Sequence, residues 1–409
     1  MDSLWKNDEY YVSFYNYAKE VRSKLKLPKK VSLHDVTLRD GEQQAGIVFR
    51  KEEKVKIARA LDELGVNRIE AGLPSVSKQD FEALKEITHL GLQSKIFAFS
   101  RCMKADVDNA LKADVDGLIM EVPSSDHLIR LGYGWTEEKA IDLAVEATAY
   151  AHSHGLYVTF FTIDATRATF EVFWRLVDSV ATRGHMDSLA VADTFGVMNP
   201  QAYGYFVSKI RKATKKPIEI HAHNDFGLGV ANTLAGLAAG ATTAHVTING
   251  IGERSGNTSL EELAMTLQML YGVKTDIKLE KLRKVSKMVE EYSGIKLPPQ
   301  KPVVGDGLFT TESGIIVGWW KRVERLGIPL EMFPYLPEVV GHEPVKVIMG
   351  KKSGRDSVIY KAEKLKLPVK EDDVDAILLQ VKEEAIREKG PLSDKKFEQL
   401  VKRYLSTHA

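Results

Sequence analysis

Short apolar segments alternate with longer amphipathic segments between residues 31 and 252. The short segments are rich in β-branched and aromatic residues, which is typical of β-strands. The longer ones, such as "KEEKVKIARALDELG" and "AIDLAVEATAYAHSHG", repeat apolar residues at helical spacing and end in glycine, as helices commonly do. The eight predicted strands are 31–37, 68–74, 94–101, 116–123, 157–164, 188–196, 217–225 and 243–252.

This alternation predicts an α/β fold with a parallel sheet, because parallel strands need a crossover that is usually a helix. Eight strand–helix repeats favour a closed (β/α)8 TIM barrel over an open doubly wound sheet. The first turn, "LRDGEQQAG", also lacks the G-x-G-x-x-G pattern that an open dinucleotide-binding sheet would carry.

The pattern changes on both sides of this barrel. The segment "YYVSFYNYAKEVRSKLK" predicts an extra helix before it, and Pro298, Pro299 and Pro302 mark a linker after it. Residues 310–330 and 355–409 have helical patterns. We therefore predict an N-terminal helical extension (1–28), a barrel catalytic domain (29–290), and a linker with smaller, mostly helical C-terminal subdomains (291–409).

Composition excludes several classes of function. A net charge of +1 gives no electrostatic basis for a nucleic-acid or membrane partner. No apolar run approaches transmembrane length, and the N-terminus lacks a basic-then-apolar signal pattern. The single cysteine, Cys102, rules out an intrachain disulfide and a cysteine metal cluster. We expect a cytoplasmic enzyme that acts on small molecules.

The stretch "IEIHAHNDFG" places two histidines two residues apart in the seventh strand. In a strand, residues i and i+2 point to the same face, so His221 and His223 are expected side by side. Two neutral imidazoles held in this way suit one divalent metal ion. The alternative is that one of them is a satisfied core histidine and the spacing is chance.

Polar residues follow every predicted strand, at the end where a barrel of this class carries its active site. Asp40 and Arg39 follow the first strand, and Asn257 lies in the loop after the eighth. Asp40, His221 and His223, with Asn257 as a weaker carbonyl ligand, would form a mixed nitrogen–oxygen site suited to Mg, Mn, Fe, Co or Zn. Arg39 is placed to stabilise negative charge on a substrate oxygen, or to orient neighbouring carboxylates.

Six motifs occur together, in one order: "DVTLRDGEQ", "IEAGLP", "DATR", "ADTFG", "HAHND" and "NGIGERSGN". Together they resemble the metal-dependent aldolase–lyase TIM barrels, in particular the branch of 2-isopropylmalate, homocitrate, citramalate and Re-citrate synthases. The segments "ESGI", "PEVVG" and "GKKSGR" are similar to the post-barrel subdomains of that branch, so the resemblance covers nearly the whole chain.

The resemblance implies an acyltransferase that condenses acetyl-CoA with a 2-oxo acid in amino-acid or carboxylic-acid biosynthesis. It implies a divalent ion (Mn, Mg, Zn or Co) on Asp40, His221, His223 and Asn257, with acetyl-CoA as cosubstrate. Arg39 would stabilise oxygen charge, positioned by Gln43 and Glu70. The expected substrate contacts are Thr194, Arg101, Arg167 and Asn224. The branch also implies a homodimer in which the post-barrel part covers the partner's site.

The chain departs from the family pattern at several positions. Thr311 stands where the family has a histidine that resembles a catalytic acid or base, and Ile163 stands where a glutamate usually precedes "DATR". Threonine has no pKa near neutrality and is a poor general base. Glu312, His127 and His342 are the candidates to replace that histidine, and we take Glu312 as the catalytic one.

The sequence leaves three functions open. The glycine-rich loop "GIGERSGN" has no cysteine, which argues against the hydroxymethylglutaryl-CoA lyase branch. A metal-dependent aldolase or lyase that does not use acetyl-CoA, or a non-catalytic metal-binding homologue, is the alternative to the synthase. The acceptor is also open: Arg101 and Arg130 would suit a second carboxylate, whereas Phe161 and Ile163 would line an apolar pocket.

Overall fold

The computed structural model describes residues 3–408, which form two compact units. One unit is Phe14–Leu297, and the other combines the described parts of Met1–Ser13 and Pro298–Ala409. Residues near the N-terminus belong to the second unit because their backbone pairs with it: Tyr11 N–H donates to Pro334 O, and Leu336 N–H donates to Glu9 O, both at 2.9 Å. The predicted division at residues 28 and 290 remains a proposal, and the two units group the chain differently.

Eight parallel strands close into a barrel in chain order, with β8 pairing to β1. This confirms the (β/α)8 fold predicted from the hydrophobic pattern. The strands are β1 Ser32–Asp35, β2 Arg68–Glu70, β3 Lys95–Ser100, β4 Gly117–Pro123, β5 Tyr157–Ile163, β6 Ser188–Asp193, β7 Ile218–Ala222 and β8 Thr243–Val246.

Helices connect successive strands, and their ends carry the expected capping residues. Ser77, Thr136, Thr169 and Asn199 each accept a backbone N–H from the first turn of the helix that follows. The helices of this unit are α1 Lys19–Arg22, α2 Lys51–Leu64, α3 Lys78–Thr88, α4 Lys104–Lys112, α5 Glu137–Ser153, α6 Phe170–Arg183, α7 Pro200–Ala213, α8 Gly229–Ala238, α9 Leu260–Met265 and α10 Leu282–Ser293.

The strands end earlier than predicted because the backbone leaves the sheet where the polar residues begin. After β1 the chain enters a π-helical turn, Thr37–Gly41, which carries Arg39 and Asp40. After β5, Asp164 adopts a left-handed conformation with φ 58°. Irregular turns of this kind are frequent at functional sites, and here they turn polar side chains toward the carboxyl end of the barrel.

The predicted N-terminal helix over "YYVSFYNYAKEVRSKLK" is wrong in extent. The structure has only a 3₁₀ turn, Phe14–Tyr17, and the four-residue α1. The first residues of that segment are not helical because Tyr10 forms an antiparallel bridge with Tyr335, which requires an extended backbone.

The second unit is mostly helical, as predicted. Its helices are α11 Gly314–Leu326, α12 Arg355–Lys364, α13 Val374–Glu388 and α14 Asp394–His408, and two short parallel strands, β9 Thr310–Thr311 and β10 Lys346–Val347, pair beside them. Val358, Ile377, Val381, Phe397 and Val401 belong to one fully buried cluster, so this unit has its own hydrophobic core. None of the helices in the described part of the chain is long and apolar enough to cross a membrane.

Candidate metal centre and active site

Three buried side chains present metal-ligating atoms to one another inside the mouth of the barrel. The Nε2 atoms of His221 and His223 lie 3.2 Å apart, and they lie 3.3 and 3.5 Å from Oδ2 of Asp40. The three residues are 2–4% exposed. Oδ2 of Asp40 and Nδ1 of His221 have no hydrogen-bond partner among the described residues. A divalent cation stabilises such an arrangement, because it binds the nitrogen and oxygen lone pairs that face one another.

The electrostatics of this cluster match that chemistry. Burial raises the pKa of Asp40, but the Arg39 guanidinium and the two imidazoles overcome this, and the pKa lies well below its ordinary value. Burial lowers the pKa of His221 to about 3 and also lowers the pKa of His223. The cluster therefore holds an ionised carboxylate and two neutral imidazoles at neutral pH, which is the protonation state that metal binding requires.

Asn257 lies beside this cluster through an antiparallel bridge with His223. Its Nδ2 donates to Ile251 O at 3.1 Å, whereas its buried Oδ1 has no hydrogen-bond partner among the described residues. A Cβ at Gly252, where φ is 150°, would lie 2.2 Å from Asn257 Nδ2, so only glycine leaves room for this amide. The geometry fits the predicted fourth, weaker ligand.

Arg39 is held beside the cluster by the side chains of Glu70, the last residue of β2, and Gln43, which follows β1. Its Nε donates to Glu70 Oε1 at 2.6 Å, one Nη donates to Glu70 Oε2 at 3.3 Å, and the other donates to Gln43 Oε1 at 3.2 Å. The same guanidinium lies 3.5 Å from Asp40 and 4.6 Å from the centroid of the Phe99 ring. A guanidinium has five N–H donors, so two remain for a ligand after these three bonds.

The other predicted substrate contacts have local partners. Arg101 pairs with Asp106 through two bonds of 2.9 and 3.0 Å and is half exposed. Asn224 Oδ1 accepts the N–H of Gly229 at 2.9 Å, at the start of α8. Both side chains therefore contribute to the loops that surround the mouth.

Thr194 and Arg167 meet around Asp164 on the same rim. Thr194 Oγ1 accepts the Asp164 N–H at 2.9 Å, and Arg167 Nε donates to Asp164 Oδ1 at 2.7 Å. His127 Nε2 lies 3.0 Å from the other oxygen of Asp164. Arg167 also stacks on Phe195, with its guanidinium 3.9 Å from the ring centroid. The polar side chains on this side of the barrel mouth are therefore paired with one another.

Glu312 and Thr311 lie in the second unit. The Glu312 carboxylate accepts the Lys352 N–H at 2.8 Å, and Thr311 forms part of β9, where its carbonyl accepts the Ile348 N–H. Their predicted roles remain proposals.

A pocket of about 300 Å3 opens beside Arg39 and Gln43. Leu38, Val48, Leu73, Val76 and Phe99 form much of its wall. Lys54 is buried in the same wall and pairs with Glu42 at 2.6 Å and with Asp80. This pocket offers apolar surface next to the Arg39 guanidinium.

The structure also shows two features that sequence reasoning did not assign. A second buried group, His34, Glu219 and His245, fills the barrel interior, where Glu219 pairs with Arg68 at 2.7 Å and with His245 at 2.9 Å. The alternation Glu219, His221, His223 in one strand was the available signal, since all three point inward. The second feature is Glu121 of β4, whose carboxyl has no salt bridge or hydrogen bond with the described residues.

Comparison with known proteins shows which family the chain belongs to. The HMGL-like family model matches residues 30–289. Homocitrate synthase AksA of Methanothermobacter thermautotrophicus is 40% identical over 394 residues, which cover 96% of this chain and 97% of that protein. The 2-isopropylmalate synthase of Methanocaldococcus jannaschii is 40% identical over 392 residues, covering 94% of this chain and 73% of that protein.

Among solved structures, the HMG-CoA lyase of Bacillus subtilis has a TM-score of 0.62 at 22% identity and covers 67% of this chain and 97% of the lyase. That likeness shows the fold alone. The family match and the two synthases confirm the resemblance to the aldolase–lyase barrels and their synthase branch. The chain belongs to the HMGL-like family.

Proposed function

We propose that this chain is a divalent-metal-dependent synthase that condenses acetyl-CoA with a 2-oxo acid. The observation that carries the proposal is the convergence of Asp40, His221 and His223 beside a guanidinium held by Glu70 and Gln43. Relatives that are 40% identical over nearly the whole chain and are named homocitrate and 2-isopropylmalate synthases support the same reaction class.

The residues present fit a divalent ion. Asp40, His221 and His223 would hold it, and the buried, unpartnered Oδ1 of Asn257 would add a weaker bond. Nitrogen and oxygen donors without sulfur suit Mn, Mg, Zn or Co. When bound, the ion would act as a Lewis acid that polarises a carbonyl group.

Arg39 supplies the positive charge of the protein itself. In the proposed reaction a base removes a proton from the methyl group of acetyl-CoA, and the resulting electron pair forms a bond to the ketone carbon of the 2-oxo acid. The ketone π electrons move onto oxygen, where the two uncommitted N–H groups of Arg39 would stabilise the developing charge. Water then hydrolyses the thioester, which releases the free CoA thiol and a new carboxylate.

Glu70 and Gln43 would keep Arg39 in place for this step, since the residue is only 7% exposed and three of its guanidinium donors are bound to them. We assign substrate contacts to Thr194 and Arg167 on the opposite rim. Thr311 has no side-chain group that titrates near neutrality, so we assign proton transfer to the neighbouring Glu312 carboxylate.

The test is thiol release from acetyl-CoA by manganese-loaded protein, measured with pyruvate, 2-oxoisovalerate, oxaloacetate and 2-oxoglutarate. We expect release with one class of acid and none from the same protein stripped of metal. The variant Arg39→Lys keeps the positive charge but loses the planar guanidinium and its paired N–H donors, and we expect it to lower kcat at least tenfold. If folded, metal-loaded protein releases no thiol with any acid, the synthase is excluded and a C–C cleavage reaction or a non-catalytic role takes its place.

A further inference from the structure

Glu121 occupies the interior of the barrel, one layer closer to the mouth than the apolar core. Ile119, two residues earlier in β4, belongs to a buried cluster with Phe97, Phe99 and Phe161. Alternate residues of a strand point to the same face, so Glu121 also points inward. In the parallel pairing of β4 with β5 it lies opposite Phe161.

Phe161 connects Glu121 to the metal cluster. The Phe161 ring meets the edge of the His221 imidazole with 5.0 Å between centroids. The Arg39 guanidinium lies 5.9 Å from the Phe161 centroid. A ligand held at Asp40, His221 and His223 therefore has Phe161 beside it, and Glu121 is on the neighbouring strand at the same level.

Glu121 has no cation of its own, unlike three neighbouring carboxylates. Glu70 pairs with Arg39, Glu219 pairs with Arg68, and Asp164 pairs with Arg167. Glu121 makes no salt bridge or hydrogen bond with the described residues, and burial raises its pKa to about 7. A carboxyl group that folding leaves partly buried and uncommitted is available to a ligand.

Arg101 and Arg130, the two arginines that the sequence offers for a second substrate carboxylate, already have carboxylate partners. Arg101 forms two bonds with Asp106, and Arg130 is two-thirds exposed at 3.5 Å from Asp126. Phe99, Phe161 and Ile163 pack in one cluster beside Glu121. The cations whose charge acts on the Glu121 carboxyl are Arg39, which is held by Glu70 and Gln43, and Arg101. A distal carboxylate beside Phe161 would meet the Glu121 carboxyl group, whereas Arg39 and Arg101 are already paired with Glu70 and Asp106, and the remaining N–H groups of Arg39 serve the ketone oxygen in the proposed reaction.

We propose that Glu121 sets the substrate class: it excludes 2-oxo dicarboxylic acids, and the acceptor is a 2-oxo monocarboxylic acid with a short neutral side chain. This inference rests on the proposed condensation. Two like charges near each other in a partly buried site repel strongly, because water screens them poorly there. The neutral side chain would pack on Phe99, Phe161 and Ile163.

The experiment compares 2-oxoisovalerate with 2-oxoglutarate at pH 8, using manganese-loaded protein. Thiol release gives kcat/KM for each acid, and calorimetry without acetyl-CoA gives the affinity for each. We expect the wild-type chain to favour 2-oxoisovalerate by at least 100-fold in kcat/KM. In Glu121→Gln, which keeps the shape and removes the charge, we expect that ratio to fall at least tenfold because the dicarboxylate is used better.

The matched control is Glu138→Gln, the same chemical change on the exposed surface of α5, which should leave the ratio within twofold. A wild-type chain that prefers 2-oxoglutarate, or an unchanged ratio in Glu121→Gln, overturns the inference while the condensation stands. Absence of thiol release with any acid overturns the condensation. In that case calorimetry still tests the role of Glu121. Tighter binding of 2-oxoisovalerate than of 2-oxoglutarate, lost in Glu121→Gln, would support that role, and equal binding of the two acids by the wild-type chain would overturn it.

Discussion

Arg39 and Glu70 form a buried, two-pronged ion pair, with bonds of 2.6 and 3.3 Å between the guanidinium and the two carboxylate oxygens. Arg39 follows β1 and Glu70 is the last residue of the neighbouring strand β2, so the pair fixes the guanidinium relative to the barrel rather than to its own loop. A fork of this kind restricts both position and orientation. Arg39 therefore reaches the substrate region already oriented, with the charge of Asp40 on its other side.

Glu70→Gln should lower kcat by roughly 100-fold, because the guanidinium loses its charged partner and its fixed orientation. Glu70 is not among the proposed metal ligands, so metal content should stay unchanged. Steady-state thiol release and elemental analysis check the two halves of this prediction. A wild-type kcat in a folded Glu70→Gln protein would show that the fork has no part in positioning Arg39.

His223→Ala should remove bound metal and with it the activity. The substitution deletes one of three strong ligands and leaves Asp40 and His221 facing each other at 3.3 Å. Metal content after dialysis, measured by elemental analysis, is the test. His127→Ala is the control, since this imidazole lies on the same rim but contacts Asp164 instead. Full retention of metal by His223→Ala would contradict the assignment of this residue.

Gly252→Ala should weaken metal binding without abolishing it. The new Cβ would lie 2.2 Å from Asn257 Nδ2, so the amide must move, while Asp40, His221 and His223 stay in place. We expect a roughly tenfold loss of affinity, as for disturbance of a supporting group. Metal titration of the stripped protein measures it.

Gly227→Ala is the matched control for this variant. Gly227 also has a positive φ, of 72°, but an added Cβ there has no atom within 4 Å. It therefore adds a side chain at a positive φ without the clash. Equal affinities in the two variants would mean that backbone strain, and not displacement of Asn257, determines the effect.

The barrel and most of the metal centre follow from local sequence patterns. A strand that packs on both faces against apolar residues is visible in the sequence as a short run of apolar residues. The alternation of side chains along a strand places His221 and His223 on one face. Asp40 could be added because a barrel brings the ends of β1 and β7 to the same rim. These inferences need only the order of the strands along the chain and the spacing of residues within each strand, and the sequence contains both.

The remaining features depend on contacts that chain order does not specify. Arg101 looks like a free cation in the sequence, yet in the structure it forms an ion pair with Asp106, five residues later. Asn224 follows the metal histidines but caps α8. In the sequence Glu121 is only a polar residue near the end of the predicted strand 116–123, because its lack of a partner is a property of the folded barrel. The pairing of Tyr10 with Tyr335 likewise joins residues far apart in the chain.

Asp35 makes stability depend on pH. Burial raises the pKa of Asp35 to about 7, although Thr37 donates to it from both N–H and hydroxyl. The folded state thus binds this proton more tightly than the unfolded state, so Asp35 contributes most to stability below pH 3.8 and progressively less as pH rises to about 7. The loss amounts to at most about 4 kcal/mol.

Asp35→Asn should remove this dependence, since the amide is neutral at every pH and its oxygen can still accept the Thr37 N–H. We expect the Tm of Asp35→Asn to match the wild-type Tm near pH 4 and to exceed it by up to roughly 8 °C at pH 8. Calorimetric scans from pH 4 to pH 8 give the difference, in which groups common to both proteins cancel. Asp178→Asn, on the exposed face of α6, is the control and should show no such trend. A Tm difference that does not change with pH would mean that Asp35 is ionised throughout this range in the folded protein.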